Sequence, residues 1–295
     1  MGKVLSWSLA VTVLFVAVEI AAGLQARSLA LLSDAGHNFT DALALLLAAV
    51  AFYFQSRPAD EKKTYGYHRA GVLAAFVNAL TLLVLSVYIF YESYRRFLAP
   101  QEVHELTMVV VAGLGLAVNA GVMWGLHSER GRDLNVRAAF LHMLGDALGS
   151  AGIILGAIVI GYTRWFWIDP LLSVLIGALI VWTAWGIVKD SLNILLEGLP
   201  RGMRLRVVVE TIRGVDGVLG VHDLHVWSLG SGVHALSCHV VIPDLPLSAS
   251  DAILKRINGE LAERFQIHHT TIQFEHELCA LSENGCCIPV SGRRR

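Results

Sequence analysis

The stretch Ser33–Leu43, SDAGHNFTDAL, places His37 and Asp41, four residues apart, inside an apolar run extending from about residue 29 to 54. Such groups cost roughly 2.5 to 3.5 kcal/mol each in a membrane span, so their presence is by default a sign of function. A separation of four puts both on one helix face. The pattern recurs in Leu141–Gly149, LHMLGDALG, where His142 and Asp146 are again four apart. If the two faces meet, two imidazoles and two carboxylates form a four-coordinate N2O2 set, which suits zinc. The alternative is that each pair only hydrogen-bonds across a helix bundle; two copies on separate spans weigh against coincidence. Asp34, Asn38, Asn78 and Asn119 read as packing or cavity-lining groups. Glu19, alone in the first span, fits either a proton carrier or a paired structural carboxylate.

Around these pairs the composition is that of a membrane protein. The 295 residues are 55% hydrophobic and 16% charged, against about 25% charged in a soluble domain. A bilayer core needs about 20 apolar residues as helix. Six stretches qualify, near 4–24, 29–54, 70–91, 106–126, 138–160 and 168–188. The first has no convincing cleavage site and reads as a retained span. Lys3, Arg57, Lys62, Lys63, Arg69, Arg130, Arg132 and Arg137 flank one side, and Arg27, Arg95, Arg96 and Arg164 the other. The excess of basic residues puts both termini in the cytoplasm. A net charge of −1 offers no basic field for nucleic acid. No Gly-x-x-x-x-Gly-Lys-Ser/Thr loop exists to bind ATP.

From about residue 200 the periodicity becomes that of a soluble α-β-β-α-β unit. RLRVVVETIRGVDGV and SASDAILKRINGELAERF read as helices, and VLGVHDLHVWSL, VHALSCHVVI and HTTIQFEH as strands. The expected division is therefore a six-helix transmembrane domain over 1–198, a small cytosolic α+β domain over 199–278 and a flexible tail over 279–295. Cys238, Cys279, Cys286 and Cys287 read as reduced thiols rather than a disulfide framework.

The chain resembles the cation diffusion facilitator family, zinc transporters of bacteria and eukaryotic organelles. The likeness is carried by SLALLSDAGHNFTDALAL, TYGYHRAGVLAAF, LNVRAAFLHMLGDALGS, SLNILLEGLP, GVHDLHVWSL and TIQFE. It implies a six-span protomer in the cell (inner) membrane, a metallochaperone-like cytosolic domain, a homodimer, and export of divalent metal in exchange for protons. Carried over by position, the family's transport site falls on His37, Asp41, His142 and Asp146. A histidine at position 37 implies zinc preference, with Co2+ or Cd2+ possible, and no catalytic residue. A second family site, in the loop before the third span, falls on Asp60 and His68, but Lys63 and Tyr67 stand where some relatives hold histidines, and Gly71 replaces an acidic residue. Arg69 and Glu197 match a hinge charge pair. His222 and His239 match metal ligands of the cytosolic domain, with Glu275 or His276 to complete a regulatory site. Strand alternation sets His239 and Ser237 on one face and Cys238 on the other, and separates His222 from His225 unless the strand begins late.

Three other classes compete, of which a primary pump or channel would need the ATP-binding loop that is missing above. An intramembrane zinc enzyme would need a general base beside an open coordination position, and no His-Glu-x-x-His is present. A membrane-anchored metal sensor would need neither six spans nor ligands buried within them.

Overall fold

The computed structural model describes residues 3–126, 134–230 and 232–277, with side chains from residue 12 to 125 and from 140 onward within those. Arg130, Arg132, the Arg137 side chain, Cys279, Cys286, Cys287 and the 279–295 tail lie outside them. Six long helices come first: α1 (Lys3–Ala26), α2 (Leu29–Gln55), α3 (Ala70–Leu98), α4 (Glu105–Leu126), α5 (Leu134–Thr163) and α6 (Ile168–Leu195). Five are long and apolar enough to cross a membrane, and Thr12–Ala26 is a shorter apolar stretch of α1. The chain is a multi-pass membrane protein with a small α/β domain after it.

The helices outrun the spans read from hydropathy wherever polar residues continue a turn. α3 carries on past residue 91 through Glu92, Arg95 and Arg96, and α6 past 188 to Leu195. α5 begins at Leu134, one turn before the apolar run, because Asn135 and Arg137 depress hydropathy without breaking a helix. That start sets His142 two turns inside α5 rather than one. His37 and His142 are each the ninth residue of their helix.

The chain forms two compact units, Met1–Val50 with Ala74–Val188, and Ala51–Leu73 with Lys189–Arg295. In the first unit one apolar core joins Ala30 and Leu31 of α2 with Met108 and Val111 of α4 and Ile153, Ala157 and Ile160 of α5. A second joins Ala79, Leu82 and Ile89 of α3 with Ile180, Ala184 and Val188 of α6.

The second unit contains the α/β domain: α7 (Leu205–Arg213), β1 (Gly220–Gly230), β2 (Val233–Val241), α8 (Leu247–Phe265) and β3 (Ile267–Glu275). The sheet order is β1-β2-β3, with β1 and β2 antiparallel and β2 and β3 parallel. Ile253, Ile257 and Leu261 recur at helical spacing along α8 and bury against Leu236, Cys238 and Val240 of β2. The opposite face of β2 carries Ser237 and His239 between the buried Ala235 and Val241. α7 is shorter than the sequence suggested, ending at Gly214, whose amide donates to the carbonyl of Glu210.

Candidate metal centres

α2 and α5 each present a histidine and an aspartate one turn apart, and the structure brings all four together. His37 Nε2 lies 3.6 Å from Asp41 Oδ2 and 3.5 Å from Asp146 Oδ1. His142 Nε2 lies 3.2 Å from Asp41 Oδ2 and 3.7 Å from Asp146 Oδ2. Three of these four separations are too long for good hydrogen bonds, which run to about 3.2 Å. They match the edges of a coordination tetrahedron: ligands about 2.0–2.1 Å from zinc lie about 3.4 Å from one another. His37, His142 and Asp146 form the tightest set, with all ligand atoms within 4.8 Å of one another. Asp41 reaches both imidazoles without belonging to that mutual set. His37 Nδ1 is buried without a hydrogen-bond partner. The His142 side chain is 45% exposed and that of Asp41 30%, against 10% for Asp146, so an ion has a way in.

Beside this cluster, Glu19 of α1 is fully buried and accepts a hydrogen bond from the Asn38 amide at 2.8 Å. The structure thus gives Glu19 the partner that the sequence left open.

In the loop between α2 and α3, Asp60 is engaged as a turn cap. Its carboxylate accepts from the backbone amides of Lys63 at 2.7 Å and Lys62 at 2.8 Å, and from the Tyr67 hydroxyl at 2.9 Å. These bonds hold the carboxyl below its ordinary range, that from the Lys63 amide most strongly, and the Tyr67 hydroxyl bound to Asp60 is raised in turn. Among the described residues Asp60 and His68 join no cluster of three metal-capable side chains. The Arg69 guanidinium meets Glu197 at 3.1 Å, with the two side chains 34% and 63% exposed. Exposure of that degree limits such a pair to about 0–1 kcal/mol.

The sheet carries a second convergence. His222 stands opposite His239 across β1 and β2, their rings 5.2 Å apart. Glu275, at the end of β3, lies 3.1 Å from His222 Nε2 and 2.8 Å from His239 Nδ1. Yet both His222 nitrogens, His239 Nδ1 and Glu275 Oε2 are buried and make no hydrogen bond, because the angles between them are wrong for one. Buried donors and acceptors are almost always satisfied. Lone pairs that converge without bonding one another fit a metal ion, and these three residues form such a group. His276 is exposed and lies outside it.

The expected separation of His222 from His225 does not hold. His222 pairs with His239 and His225 with Ser237, so three residues of β1 span two of β2. This bulge restores both histidines to one face. It turns on Asp223, whose φ of 51° lies in the left-handed region. The Asp223 carboxylate lies 3.2 Å from His225 Nε2 and 3.9 Å from His239 Nε2, a neighbour of the site that the sequence did not single out. Gln273 also escaped notice; its amide donates to Glu275 Oε1 at 2.9 Å. The only hint in the letters was an aspartate inside a strand, where that residue is uncommon.

Comparison with known proteins gives matches over nearly the whole chain. Residues 5–196 match the family described as "Cation efflux transmembrane domain", and residues 200–277 match "Cation efflux protein, cytoplasmic domain". A cadmium, cobalt and zinc/H(+)-K(+) antiporter of Bacillus subtilis is 41% identical over 296 residues, covering 99% of this chain and 95% of that protein. The zinc transporter ZitB of Escherichia coli is 41% identical over 277 residues, covering 93% and 88%. Among solved structures, the metal-bound C-terminal domain of the CzcD transporter of Cupriavidus metallidurans is 38% identical, covering 25% of this chain and 99% of that one, with a TM-score of 0.23.

Proposed function

The chain belongs to the cation efflux family, whose members are transporters and not enzymes, and we propose that it exports Zn2+ from the cytosol in exchange for protons. The observation that carries this reading is the convergence of His37, Asp41, His142 and Asp146 at ion-sized separations between apolar helices. The relatives named above support zinc as substrate, with cadmium and cobalt as further candidates. So does softness: imidazole suits Zn2+, whereas all-oxygen sites suit Mg2+ and Ca2+.

His37 and His142 each contribute Nε2, and Asp41 and Asp146 an oxygen. Four protein ligands exclude the bound water that hydrolytic zinc chemistry requires, so the site holds and releases rather than reacts. Binding needs neutral imidazole and free carboxylate. Protons arriving from the far side therefore compete for the same atoms, and imidazole titrates in the physiological range. One protein with two access states then exchanges metal for protons without ATP.

The second cluster, His222, His239 and Glu275, acts in this proposal as a regulatory zinc site on a cytoplasmic domain that pairs with that of a second copy in the inner membrane. The name of the cytoplasmic-domain family supports the location, and the unpartnered buried nitrogens support the metal. Asp60 and His68 are given no metal role, and Arg69 with Glu197 only that of a surface tether.

Purified protein in liposomes loaded with a zinc-sensitive dye tests the main claim. An inside-acid pH gradient is expected to drive zinc into the lumen in wild type and not in Asp146→Ala. Equal flux in the two would overturn the site, and flux insensitive to the gradient would overturn exchange.

A further inference from the structure

A cavity of about 470 Å3 lies wholly within the second compact unit, among the loop before α3, the last turn of α6 and strand β1. It belongs to neither metal cluster, and its size is that of a small-molecule site rather than of an ion. Leu73 of α3, Leu195 of α6 and Leu229 of β1 give it an apolar end, and Tyr65, Tyr67 and Trp227 an aromatic wall. Lys62, Lys63 and Arg69 bring three cations to the lining, against the carboxylate of Glu197, which Arg69 already holds at 3.1 Å. Lys62 and Lys63 are exposed and make no ion pair among the described residues, and Glu61 beside them does not line the cavity. An ammonium has no lone pair to give a metal, and His68 is the only imidazole in the lining. The chemistry of this wall is therefore that of an anion site.

The backbone that carries the lysines is built rather than loose. The Asp60 carboxylate ties down the amides of Lys62 and Lys63, and the Gly66 amide donates to the Lys63 carbonyl at 2.8 Å. Gly66 makes the turn at a φ of 73°, which glycine adopts freely. The Tyr65 ring meets that of His269 edge-on, with centroids 5.3 Å apart. A Cβ on Gly230 would come within 2.8 Å of the His68 carbonyl, so the end of β1 closes directly on the loop. With Asp60 committed to the loop's own amides, the two ammonium groups are left for a ligand from outside.

The place of the cavity selects that ligand. α3 and α6 are both long and apolar enough to cross a membrane. Leu73 lies in the first turn of α3 and Leu195 is the last residue of α6, which sets the apolar end where hydrocarbon gives way to headgroups. Tyrosine and tryptophan favour that depth, and lysines there attract anionic headgroups. We infer that the cavity binds an anionic phospholipid, its phosphate at Lys62 and Lys63 and the root of its acyl chains toward Leu73 and Leu195. A zwitterionic lipid offers the same phosphate but carries a cation of its own, which the surplus of positive charge in the wall repels.

Native mass spectrometry of the full-length protein in detergent micelles, titrated with phosphatidylglycerol or phosphatidylcholine, tests this. Wild type is expected to hold phosphatidylglycerol about tenfold more tightly than phosphatidylcholine, or better. Lys62→Gln with Lys63→Gln is expected to lower phosphatidylglycerol affinity by about tenfold or more, since each lysine near an anionic surface is worth about fivefold. Arg57→Gln with Lys189→Gln removes as much charge from exposed positions that do not line the cavity, and is expected to change that affinity less than about threefold. Leu73→Trp keeps every charge and fills the apolar end; it is expected to lower affinity by about fivefold or more. Equal losses in the two double variants would make the attraction a property of the whole surface and overturn the cavity as its seat. Wild-type affinity in Leu73→Trp, or no preference for phosphatidylglycerol in wild type, would overturn it as well. Displacement of the lipid by millimolar glycerol phosphate or inorganic phosphate would show that a free anion fills the site and overturn the phospholipid as its ligand.

Discussion

On the membrane helices the nitrogen-to-oxygen separations run from 3.2 to 3.7 Å, whereas on the sheet Glu275 approaches His222 and His239 to 3.1 and 2.8 Å. Both clusters use imidazole and carboxylate, but they come by their geometry differently. On α2 and α5 a separation of one turn aims each pair, and the gap between the helices sets the room for an ion. On the sheet, three strands bring side chains together at β spacing, and the ligands sit closer than a zinc ion leaves them. Under the proposed function, the helical site is spaced for an ion that it must also let go, and the sheet site would loosen by a few tenths of an ångström to take one. A carrier needs the first property, whereas a site that reports metal by a change of shape is served by the second.

The sharpest way to break this comparison is to remove one ligand from each cluster. His142→Ala is expected to lower zinc exchange in proteoliposomes at least a hundredfold, since even groups that merely orient a ligand are worth about 10–100-fold. His222→Ala is expected to lower exchange at saturating zinc less than tenfold. Comparable losses in the two variants would erase the distinction between carrier and regulator. Lowering pH is expected to weaken zinc binding at both sites in isothermal titration, because protons and metal compete for the same lone pairs.

A smaller effect follows at the sheet. Zinc at about a hundred times its dissociation constant stabilises a folded domain by about 2.7 kcal/mol. Glu275→Gln, which keeps the hydrogen-bonding partner of Gln273 but not the charge, is expected to remove most of that increment in thermal unfolding with and without zinc. Persistence of the full increment would exclude Glu275 as a ligand.

The two clusters also differ in how far they can be read from letters. His37, Asp41, His142 and Asp146 were legible because a helix has a fixed period and a charge in an apolar run stands out. The six helices were legible for the same reason, with their ends displaced wherever polar residues such as Asn135 or Glu92 extended a helix beyond the hydrophobic stretch. The sheet site was only half legible. Strand alternation placed His239 and Cys238 on opposite faces, in agreement with the burial of Cys238 and the partial exposure of His239. The same alternation misplaced His222, because one extra residue in β1 shifts the phase of everything before it. The buried contacts of Asp169 with Ser28 and Arg96 were not legible at all: the partners lie up to 141 residues apart, and no spacing rule links them.

The bulge therefore offers a finer test of the sheet site. Asp223 holds a positive φ that aspartate tolerates better than alanine. Asp223→Ala is expected to cost about 1 kcal/mol, read as a lower midpoint of thermal unfolding of the α/β domain, and Asp223→Gly less, since glycine adopts that backbone freely. If the bulge matters to zinc by aligning His222 with His239, the glycine variant keeps its zinc affinity within about threefold and the alanine variant does not. Equal losses in both would assign the effect to the missing carboxylate near His239 instead.

The smallest expected effect concerns the residue beside that site. Cys238 precedes His239, and thiolate is a better zinc ligand than carboxylate on softness alone. Its side chain points to the other face, into the core with Leu236 and Val240, and burial pushes its thiol up to about 12. A raised pKa keeps the thiol protonated and unreactive at pH 8. Cys238→Ala is therefore expected to change zinc affinity at the sheet by less than about twofold, and Cys238 to resist iodoacetamide at pH 8 equally with and without zinc until the domain unfolds. A tenfold loss of affinity, or protection by zinc of a thiol that reacts in its absence, would require β2 to turn over on binding metal. The sheet site would then be built by rearrangement, and the closeness of Glu275 to both histidines would describe only its resting form.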